Sequence, residues 1–464
     1  MSAALTLTSP ESPVRKTKVL IITADVISER MAGPAIRAWQ MALALADVTD
    51  VRLVSTKQMT TVDAPFDVSF ANERELRNHV GWSDVVVSQG HLLSHHRWIA
   101  QSDKIIVADI YDPFHLETLE EAKDLGEKGR EEAVLFRVVD LNEQTARADF
   151  MLCASEKQRD FWLGQLAAVG RINPQNYDHD ESLRSLLAVV PFGVQDDPPV
   201  QRRHGIKGAI DGIGLDDKVI IWGGGIYNWF DPVTLIRAVH RLVARRPETR
   251  LFFLGVKHPN PDSPEMKMAA DARDLARELG LLGSVVFFNE GWVPYDQRAD
   301  FLLDADVGVS THLDHLESAF SFRTRILDYF WAGLPIVCTD GDTLALQISE
   351  NGLGRVVPPR DVGALETALE EMLFDETERR KTTERVRAHA TQATWAKVLP
   401  PLIEFCVRPA VAPDRVAPTE TPRDYQMRLL QVRIDGLESS TSWRLTKPLR
   451  MAASAISSIR LRGK

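Results

Sequence analysis

Two arginines and an aspartate stand at the start of a predicted buried helix, in the segment FSFRTRILDYFWAGLPIVCTD of residues 320–340. Ser321 is the expected N-cap, so Arg323 and Arg325 fall in the first helical turn. Cations at a helix N-terminus oppose the helix dipole, at a cost of about 0.3–1 kcal/mol each. An ion pair with Asp328, three residues further on, would compensate Arg325 but not Arg323. Because guanidinium groups match phosphate oxygens, we expect this helix start to bind a diphosphate.

Two glycine-containing loops are further candidates for phosphate binding. Gly33 precedes a predicted helix, where a glycine lets backbone N–H groups approach a phosphate and the helix dipole favours the anion. A loop glycine needed only for its backbone angles is the alternative. Gly224 and Gly225 belong to WGGGIYNWFDP, but Asn228 stands where the dinucleotide-binding pattern G-x-G-x-x-G requires its third glycine. We therefore expect a glycine-lined turn beside a nucleotide or diphosphate rather than a dinucleotide site.

Acidic residues and histidines that follow two other strands are candidates for lining a ligand pocket. Asp112 and His115 follow a predicted strand in ADIYDPFHLE, and His115 could orient a substrate hydroxyl or simply pack within its loop. His312 and Glu317 belong to HLDHLE, whose side chains could ligate a metal. At the end of a strand we expect them to line the pocket instead, and the predicted site contains no metal.

The elements that position these residues form two domains. At 464 residues the chain is too long for one hydrophobic core. Apolar runs such as KVLIIT, DVVVSQG and KIIVADI alternate with helical patterns, and the alternation restarts at KVIIWGGG. Fully apolar strands imply a sheet covered on both faces, so we predict two α/β, doubly wound, Rossmann-like domains at 18–195 and 196–392. Such folds bind ligands at the carboxyl ends of the strands, here across the cleft between the domains.

Further segments flank these domains. Residues 1–17 are predicted to be a disordered N-terminus, and 393–407 a helix kinked by two prolines that returns to the first domain. The proline-rich segment 408–422 is typical of a linker. Within 423–464, apolar residues at 3-4-3 spacing predict a short amphipathic helix, which a basic tail follows.

Composition argues against several classes of protein. The formal net charge of −10 is unfavourable for general nucleic-acid binding. We expect no signal peptide, because the N-terminal segment MSAALTLTSPESPVRKTK has no apolar core of the signal-peptide type. We expect no membrane span, because the sequence has no apolar run of about 18 residues. The three cysteines are far apart in apolar surroundings, and we expect them in the core of a protein from a reducing cytoplasm.

The paired α/β domains and the segments AGPAIRAW, VVPFGV and ILDYFWAGLPIVCTD resemble bacterial retaining glycosyltransferases of family 4, which have the GT-B fold. The resemblance covers roughly residues 18–407. It implies transfer of a hexosyl unit from a nucleotide-diphosphate sugar to an acceptor hydroxyl, on a glycan or a lipid-linked glycan, with retention of anomeric configuration. The first domain would hold the acceptor and the second the donor. No cofactor or metal is implied.

The motifs of that family assign roles to particular residues. Its second glutamate, which holds the ribose of the donor, matches Asp328. Its first glutamate matches Phe320, and Glu317, three residues earlier, is the expected substitute. The family's arginine–lysine phosphate pair falls near Gly224 and Trp229, where neither basic residue is present.

Arg323 and Arg325 are therefore expected to supply the positive charge for the leaving diphosphate, with His115 completing the catalytic set. The expected donor-binding residues are Gly33, Gly224, Gly225, Arg323, Arg325 and Asp328. The expected acceptor or sugar pocket contains Asp112, His115, His312 and Glu317. Two other hypotheses stay open: a nucleotide-sugar isomerase or phosphorylase of the same fold, and a non-catalytic scaffold, which the missing first glutamate suggests.

The C-terminal tail suggests a membrane surface as a partner. Residues 442–464 contain six basic residues and no acid, interspersed with apolar residues, and resemble tails of glycosyltransferases of surface-polysaccharide assembly. Each basic residue near an anionic membrane contributes about 1 kcal/mol to binding. We expect a cytoplasmic protein held peripherally at the inner face of the cell membrane, with a solubilising basic tail as the alternative.

Overall fold

The computed structural model describes residues 15–60, 63–256, 266–416 and 422–446. Within these ranges the chain forms two parallel sheets, of seven and six strands. The strands of the first sheet are β1 (Lys18–Thr23), β2 (Asp50–Ser55), β3 (Asp67–Phe70), β4 (Val85–Gln89), β5 (Ile105–Asp109), β6 (Phe150–Cys153) and β7 (Leu187–Val189). Those of the second are β8 (Lys218–Trp222), β9 (Thr249–Phe253), β10 (Val286–Phe288), β11 (Val307–Ser310), β12 (Ile336–Thr339) and β13 (Gly354–Val357).

Helices cover both faces of each sheet, as the apolar strands require. The first domain contains α1 (Gly33–Ala46), α2 (Glu73–Trp82), α3 (Leu92–His95), α4 (Arg97–Ala100), α5 (Phe114–Glu121), α6 (Gly126–Arg147), α7 (Glu156–Ala168) and α8 (Pro174–His179). The second contains α9 (Pro232–Val243), α10 (Lys267–Glu278), α11 (Arg298–Leu302), α12 (Leu316–Phe320), α13 (Thr324–Ala332), α14 (Thr343–Asn351), α15 (Val362–Phe374) and α16 (Glu376–Ala390). Short 3-10 turns at Ala122–Leu125 and Tyr295–Gln297 precede α6 and α11, respectively.

The strand order fixes where ligands can bind. The first sheet runs β3-β2-β1-β4-β5-β6-β7 and the second β10-β9-β8-β11-β12-β13, so both orders reverse beside their first strand. Loops after β1 and β8 therefore leave in the direction opposite to the loops after β4 and β11, which opens a crevice at the carboxyl ends. The prediction of two doubly wound domains is confirmed.

The two domains meet along a hinge and across the crevice. The Val194 N–H donates to the Ala393 carbonyl at 2.8 Å, and the Trp395 N–H donates to the Val194 carbonyl at 3.0 Å, so two chain segments cross side by side. A Cβ on Gly193 would lie 2.6 Å from the Trp395 nitrogen, so only glycine fits there. Across the crevice, the Trp292 indole donates to the Met31 carbonyl at 3.1 Å.

The C-terminal helices are α17 (Trp395–Val398), α18 (Pro400–Val407), α19 (Pro413–Val416), α20 (Pro422–Ser439) and α21 (Thr441–Leu445). The prediction of a linker at 408–422 is wrong for its described part. Asp414 forms a buried ion pair with Arg171 at 2.7 Å, and Arg415 pairs with Asp149 at 2.6 Å, so α19 is docked on the first domain. Residues 417–421 and 447–464 lie outside the described residues.

Three further predictions concern the helix after residue 422, the cysteines and membrane spans. A helix, α20, follows residue 422 as predicted; none of its residues is buried, so its amphipathic character stays a prediction. All three cysteines are buried, as expected. In the parts of the chain that the structure covers, no helix combines the length and apolar character needed to cross a membrane.

Candidate active site

A cavity of about 410 Å³ lies in the crevice between the two domains. Its first-domain wall is built by the start of α1, the loop from β5 into α5, and the hinge. Its second-domain wall is built by the loop after β8 and the start of α13. All six predicted donor-binding residues line the cavity: Gly33, Gly224, Gly225, Arg323, Arg325 and Asp328. Of the predicted acceptor or sugar pocket, Asp112 lines it as well.

Arg325 is a buried cation without a carboxylate partner among the described residues. Its Nη2 donates to the Gly225 carbonyl at 2.8 Å, and its Nη1 has no hydrogen-bond partner in the described structure. Its guanidinium carbon lies 4.0 Å from the centre of the Phe230 ring and 4.4 Å from that of Trp222. Burial lowers the pKa of Arg325 to about 10, so the side chain stays protonated at neutral pH. The site therefore presents an incompletely bonded positive charge to the cavity.

Arg323 is compensated within the protein. Its Nη1 and Nη2 donate to the two carboxylate oxygens of Glu317 at 2.9 and 2.8 Å, and both side chains are buried. Its Nε also lies 3.9 Å from an Asp342 oxygen. The inference that Arg323 needs an external anion is therefore wrong, because Glu317 balances its charge, whereas its buried Nε has no hydrogen-bond partner in the described structure. Glu317 is not a free carboxylate at the sugar, as its predicted role as a substitute would require.

The start of α13 also differs from the prediction. Its N-cap is Arg323, whereas Ser321 donates its hydroxyl to the Ser318 carbonyl at 3.1 Å at the end of α12. The predicted ion pair between Arg325 and Asp328 is absent, because Asp328 pairs instead with Arg298, at 3.0 Å between Nε and Oδ1. Burial raises the pKa of the Asp328 carboxyl, an effect that the neighbouring Arg298 charge opposes.

Arg298 itself is held by aromatic rings. Its guanidinium carbon lies 3.6 Å from the centre of the Tyr295 ring and 4.5 Å from that of Trp331. Because these rings fix the arginine, the arginine in turn fixes the Asp328 carboxylate at the cavity wall. Asp328 thus keeps a defined orientation although its side chain is 34% exposed.

Gly33 begins α1, whose first turn faces the cavity. Ala32 is the N-cap and makes no side-chain cap hydrogen bond, Pro34 is in the first turn, and that turn contains no acid. The N–H groups of such a turn have no partner within the helix and attract anions. A Cβ on Gly33 would have no heavy atom within 4 Å, and its φ lies outside the left-handed region, so neither packing nor backbone conformation requires a glycine here.

The glycine loop after β8 packs against aromatic side chains. Tyr227 and Trp229 stack with ring centres 5.0 Å apart, and Gly225 lies against Tyr227. Gly224 has φ +75°, with open space where a Cβ would be. Gly225 therefore joins the loop to Arg325 through its carbonyl, while Gly224 leaves backbone accessible at the cavity.

Two carboxyl groups share the opposite wall. Asp112 and Glu117 lie within hydrogen-bonding reach of each other, and Glu121 lines the rim of the same wall. Burial, and next the charge of Glu317, raises the pKa of Asp112 to about 7. Burial, and next the charge of Asp112, raises the pKa of Glu117 well above its ordinary value. Burial and mutual repulsion therefore both favour protonation of a member of this pair. Glu117 lies one helical turn beyond Pro113 and was not among the residues predicted from the sequence.

The two predicted histidines lie away from the cavity. The His115 ring stacks on Phe161 with centres 5.6 Å apart and lies near Trp162, and burial lowers its pKa to about 4. The prediction that it orients an acceptor hydroxyl is not supported by this position, and the packed alternative describes it. His312 is buried, with Nε2 at 3.5 Å from Asp342. Among the described residues, no three His, Cys, Asp or Glu side chains are grouped as metal ligands.

One further arginine shapes the site without lining it. Arg37 on α1 is fully buried and donates through Nε and Nη2 to the Asp109 carboxylate at 2.8 Å each. It also donates to the Val190 carbonyl at 2.8 Å and lies against the rings of Tyr111 and Phe192. Arg37 therefore ties α1, β5 and the hinge together beneath the cavity.

Part of the chain is similar in sequence to known glycosyltransferases. Residues 209–389 match the family described as glycosyl transferases group 1. A D-inositol 3-phosphate glycosyltransferase from Corynebacterium aurimucosum is 31% identical over 192 residues, 40% of this chain and 42% of that protein. A phosphatidyl-myo-inositol mannosyltransferase from Mycolicibacterium smegmatis is 27% identical over 193 residues, 41% of this chain and 45% of that protein. The match thus spans less than half the length of these curated relatives.

Solved structures share the architecture of both domains. A sucrose-phosphate synthase from Thermosynechococcus elongatus has a TM-score of 0.60 at 14% identity, over 84% of this chain and 98% of that one. The Anabaena protein HepE, solved in complex with UDP-glucose, has a TM-score of 0.60 at 13% identity, over 84% and 98% of the two chains. At such identities the likeness concerns the fold. The chain therefore has the GT-B fold, and its second domain is similar over residues 209–389 to the glycosyl transferases of group 1.

Proposed function

We propose that this protein transfers a hexosyl unit from a nucleotide-diphosphate sugar to an acceptor hydroxyl, with retention of anomeric configuration. The observation that carries the proposal is the meeting, in one cavity, of the α1 N-terminus from the first domain and Arg325 from the second. Unpaired N–H groups and an incompletely bonded guanidinium both favour an anion. The similarity of residues 209–389 to glycosyl transferases supports a nucleotide diphosphate as that anion.

The proposed reaction is a substitution at C1 of the donor sugar. The bond from C1 to the leaving phosphate oxygen breaks, and the acceptor oxygen forms a new bond to C1. The acceptor's proton passes to the leaving diphosphate, so no separate base is required. Negative charge builds on the diphosphate in an oxocarbenium-like transition state, and fixed donors aimed at that charge lower the barrier.

The described residues divide this work. Arg325 and the first N–H groups of α1, beginning at Gly33, stabilise the diphosphate. Asp328, oriented by Arg298, accepts hydrogen bonds from the ribose hydroxyls. Arg323 takes a supporting role, since its ion pair with Glu317 fixes the segment between α12 and α13.

A glycan or lipid-linked glycan acceptor at a cytoplasmic, anionic membrane surface is the second part of the proposal. Trp443 and Leu445 are exposed on either side of Arg444 in α21. Interfacial segments of this composition bind anionic lipid through both charge and apolar insertion. One relative is named for a phosphatidyl-linked acceptor.

A panel of nucleotide sugars, screened by thermal shift and then by calorimetry, tests donor binding. A ligand present at 100 times its dissociation constant stabilises the protein by about 2.7 kcal/mol, which such a screen detects. Gly33→Ala is the matched variant, because replacing glycine at a compatible position stabilises by about 0.4–1 kcal/mol. We expect it to fold at least as well as the wild type and to bind the nucleotide more weakly, since its methyl group faces the cavity.

Turnover separates the proposal from its rivals. Acceptor-dependent release of nucleoside diphosphate, with the anomeric configuration of the product read by NMR, is expected of a retaining transferase. Nucleotide-sugar binding without release under any acceptor would indicate a non-catalytic scaffold, and release that needs no acceptor hydroxyl would indicate another reaction. Binding of no nucleotide sugar would refute the proposed function.

A further inference from the structure

The charges of the cavity are divided between its two walls. The described first-domain lining includes Asp112, Glu117 and Glu121 and contains no lysine, arginine or histidine. The second-domain lining contains three arginines and one acid. Two of these arginines are compensated, one by Glu317 and one by Asp328. Arg325 is therefore the residue that gives the second-domain wall its net positive charge.

Arg325 decides which end of the cavity takes an anion. The residue is 8% exposed and lines the cavity, and its Nη1 is a buried atom with no hydrogen-bond partner in the described structure. An anionic group that enters the cavity is attracted to this charge. The same group placed against Asp112 and Glu117 would meet like charge, which is unfavourable. Asp112 and Glu117 therefore remain available to bind the acceptor.

We propose that Asp112 and Glu117 form an acceptor subsite that takes an unphosphorylated polyhydroxyl group and excludes a phosphorylated one. This inference rests on the proposed glycosyl transfer and names the class of its acceptor. Two adjacent carboxyl groups that line a cavity offer several acceptor oxygens, and a donor when one of them is protonated, which match the hydroxyls of a sugar ring. A phosphate monoester carries about two negative charges and offers the pair only further acceptors.

The surroundings of the pair support this assignment. Arg323, the cation next to the two carboxyl groups, is bonded to both oxygens of Glu317, so its charge is already balanced within the protein. The loop that carries Asp112 is held by Tyr111, which lies against the fully buried Arg37. The subsite is thus acidic and fixed. It differs in this respect from what a phosphorylated acceptor, such as the one for which the inositol-phosphate relatives are named, would require.

Glucose and glucose 6-phosphate are a matched pair of probes for this inference. Saturation-transfer NMR on the full chain, free and loaded with a non-transferable 2-fluoro nucleotide sugar, measures their binding. We expect glucose to bind at least tenfold more tightly than glucose 6-phosphate. Asp112→Asn with Glu117→Gln should weaken glucose binding and bring the two probes within about threefold of each other.

A second double variant controls for net charge. Asp124→Asn with Glu131→Gln removes two exposed acids of the same domain that do not line the cavity, and it should leave the discrimination unchanged. Tighter or equal binding of glucose 6-phosphate to the wild type would overturn the inference. So would binding of neither probe, or discrimination that survives the cavity variant. Calorimetric titration of UDP into the same proteins reports separately on the donor site, so loss of that binding alone would count against the proposed function.

Discussion

Replacing Arg325 by methionine removes a buried charge while keeping most of the side-chain volume. The substitution removes one backbone hydrogen bond, from the guanidinium to the Gly225 carbonyl at 2.8 Å, and the contacts of the guanidinium with the rings of Phe230 and Trp222. It loses no ion pair, because no carboxylate is bonded to it in the described structure. We expect this variant to fold normally and to lose most of the proposed transferase activity.

The expected stability change is a small difference between opposing effects. Burial lowers the pKa of Arg325 from 12.5 to about 10, which corresponds to roughly 3 kcal/mol by which burial disfavours the charge. The charged hydrogen bond offsets about 1.5–3 kcal/mol of this, and desolvated cation–π contacts offset about 2 kcal/mol more. Removing all three terms together should change the free energy of unfolding by no more than about 1–2 kcal/mol.

The expected activity change is much larger. Loss of one donor to the developing transition-state charge lowers turnover by about 10²–10³, or about 2.7–4 kcal/mol. Arg323→Met is the matched control, because Arg323 is bonded to buried Glu317. Breaking a buried pair by removing one partner costs about 3–5 kcal/mol of stability. Arg325→Met should therefore lose mainly turnover, whereas Arg323→Met should lose mainly stability.

Chemical denaturation, UDP calorimetry and single-turnover transfer measure the three quantities. The reasoning about Arg325 fails if Arg325→Met keeps both UDP affinity and turnover within threefold of the wild type. It also fails if this variant is destabilised as much as Arg323→Met, because the guanidinium would then be a structural group. A result in which Arg323→Met is stable but inactive would move the diphosphate contact to Arg323.

Three other residues or segments give further predictions. Asp328→Ala should weaken nucleoside diphosphate binding in calorimetry, and Arg298→Met should do so less, whereas equal affinity in both variants and the wild type would leave Asp328 a purely structural partner. Asp112→Asn should raise the thermal midpoint more at pH 8 than at pH 5. The raised pKa of Asp112 means that its stability contribution is present at low pH and is lost as pH rises towards 7, and an equal shift at both pH values would contradict this. A chain that ends at residue 440 should sediment less than the full chain with anionic vesicles, while equal sedimentation would refute membrane binding by 442–464.

The strands were predictable because each is a short apolar run flanked by loop residues. KVLIIT corresponds to β1 and KVIIW to β8, and parallel pairing of such runs gives the observed sheets. The docking of α19 was not predictable from the same pattern. Its segment has many prolines and no apolar period, and it is held by ion pairs of Asp414 and Arg415 with residues more than 240 positions away. Burial through paired charges leaves no periodic signal in the sequence.

The helix that carries the candidate site shows the same limit at the level of side chains. Spacing along α13 suggested that Arg325 pairs with Asp328, since residues three apart are neighbours on a helix surface. In the fold Arg325 turns to the aromatic rings after β8, and Asp328 turns to Arg298. These partners lie far away in sequence and offer buried contacts that an exposed pair lacks. Residue types were therefore informative, whereas their pairing depended on tertiary structure.

Three departures from ordinary protein chemistry converge on one cavity. The N-cap of α1 is Ala32, with no side-chain bond to the first turn, although such a cap costs about 0.5–2 kcal/mol relative to serine or aspartate. Arg325 is buried without a carboxylate among the described residues, and Asp112 and Glu117 adjoin as two acids. Departures of this kind persist where they serve function. An anion would satisfy the first two and a sugar hydroxyl the third, so a donor diphosphate and an unphosphorylated acceptor together account for all of them.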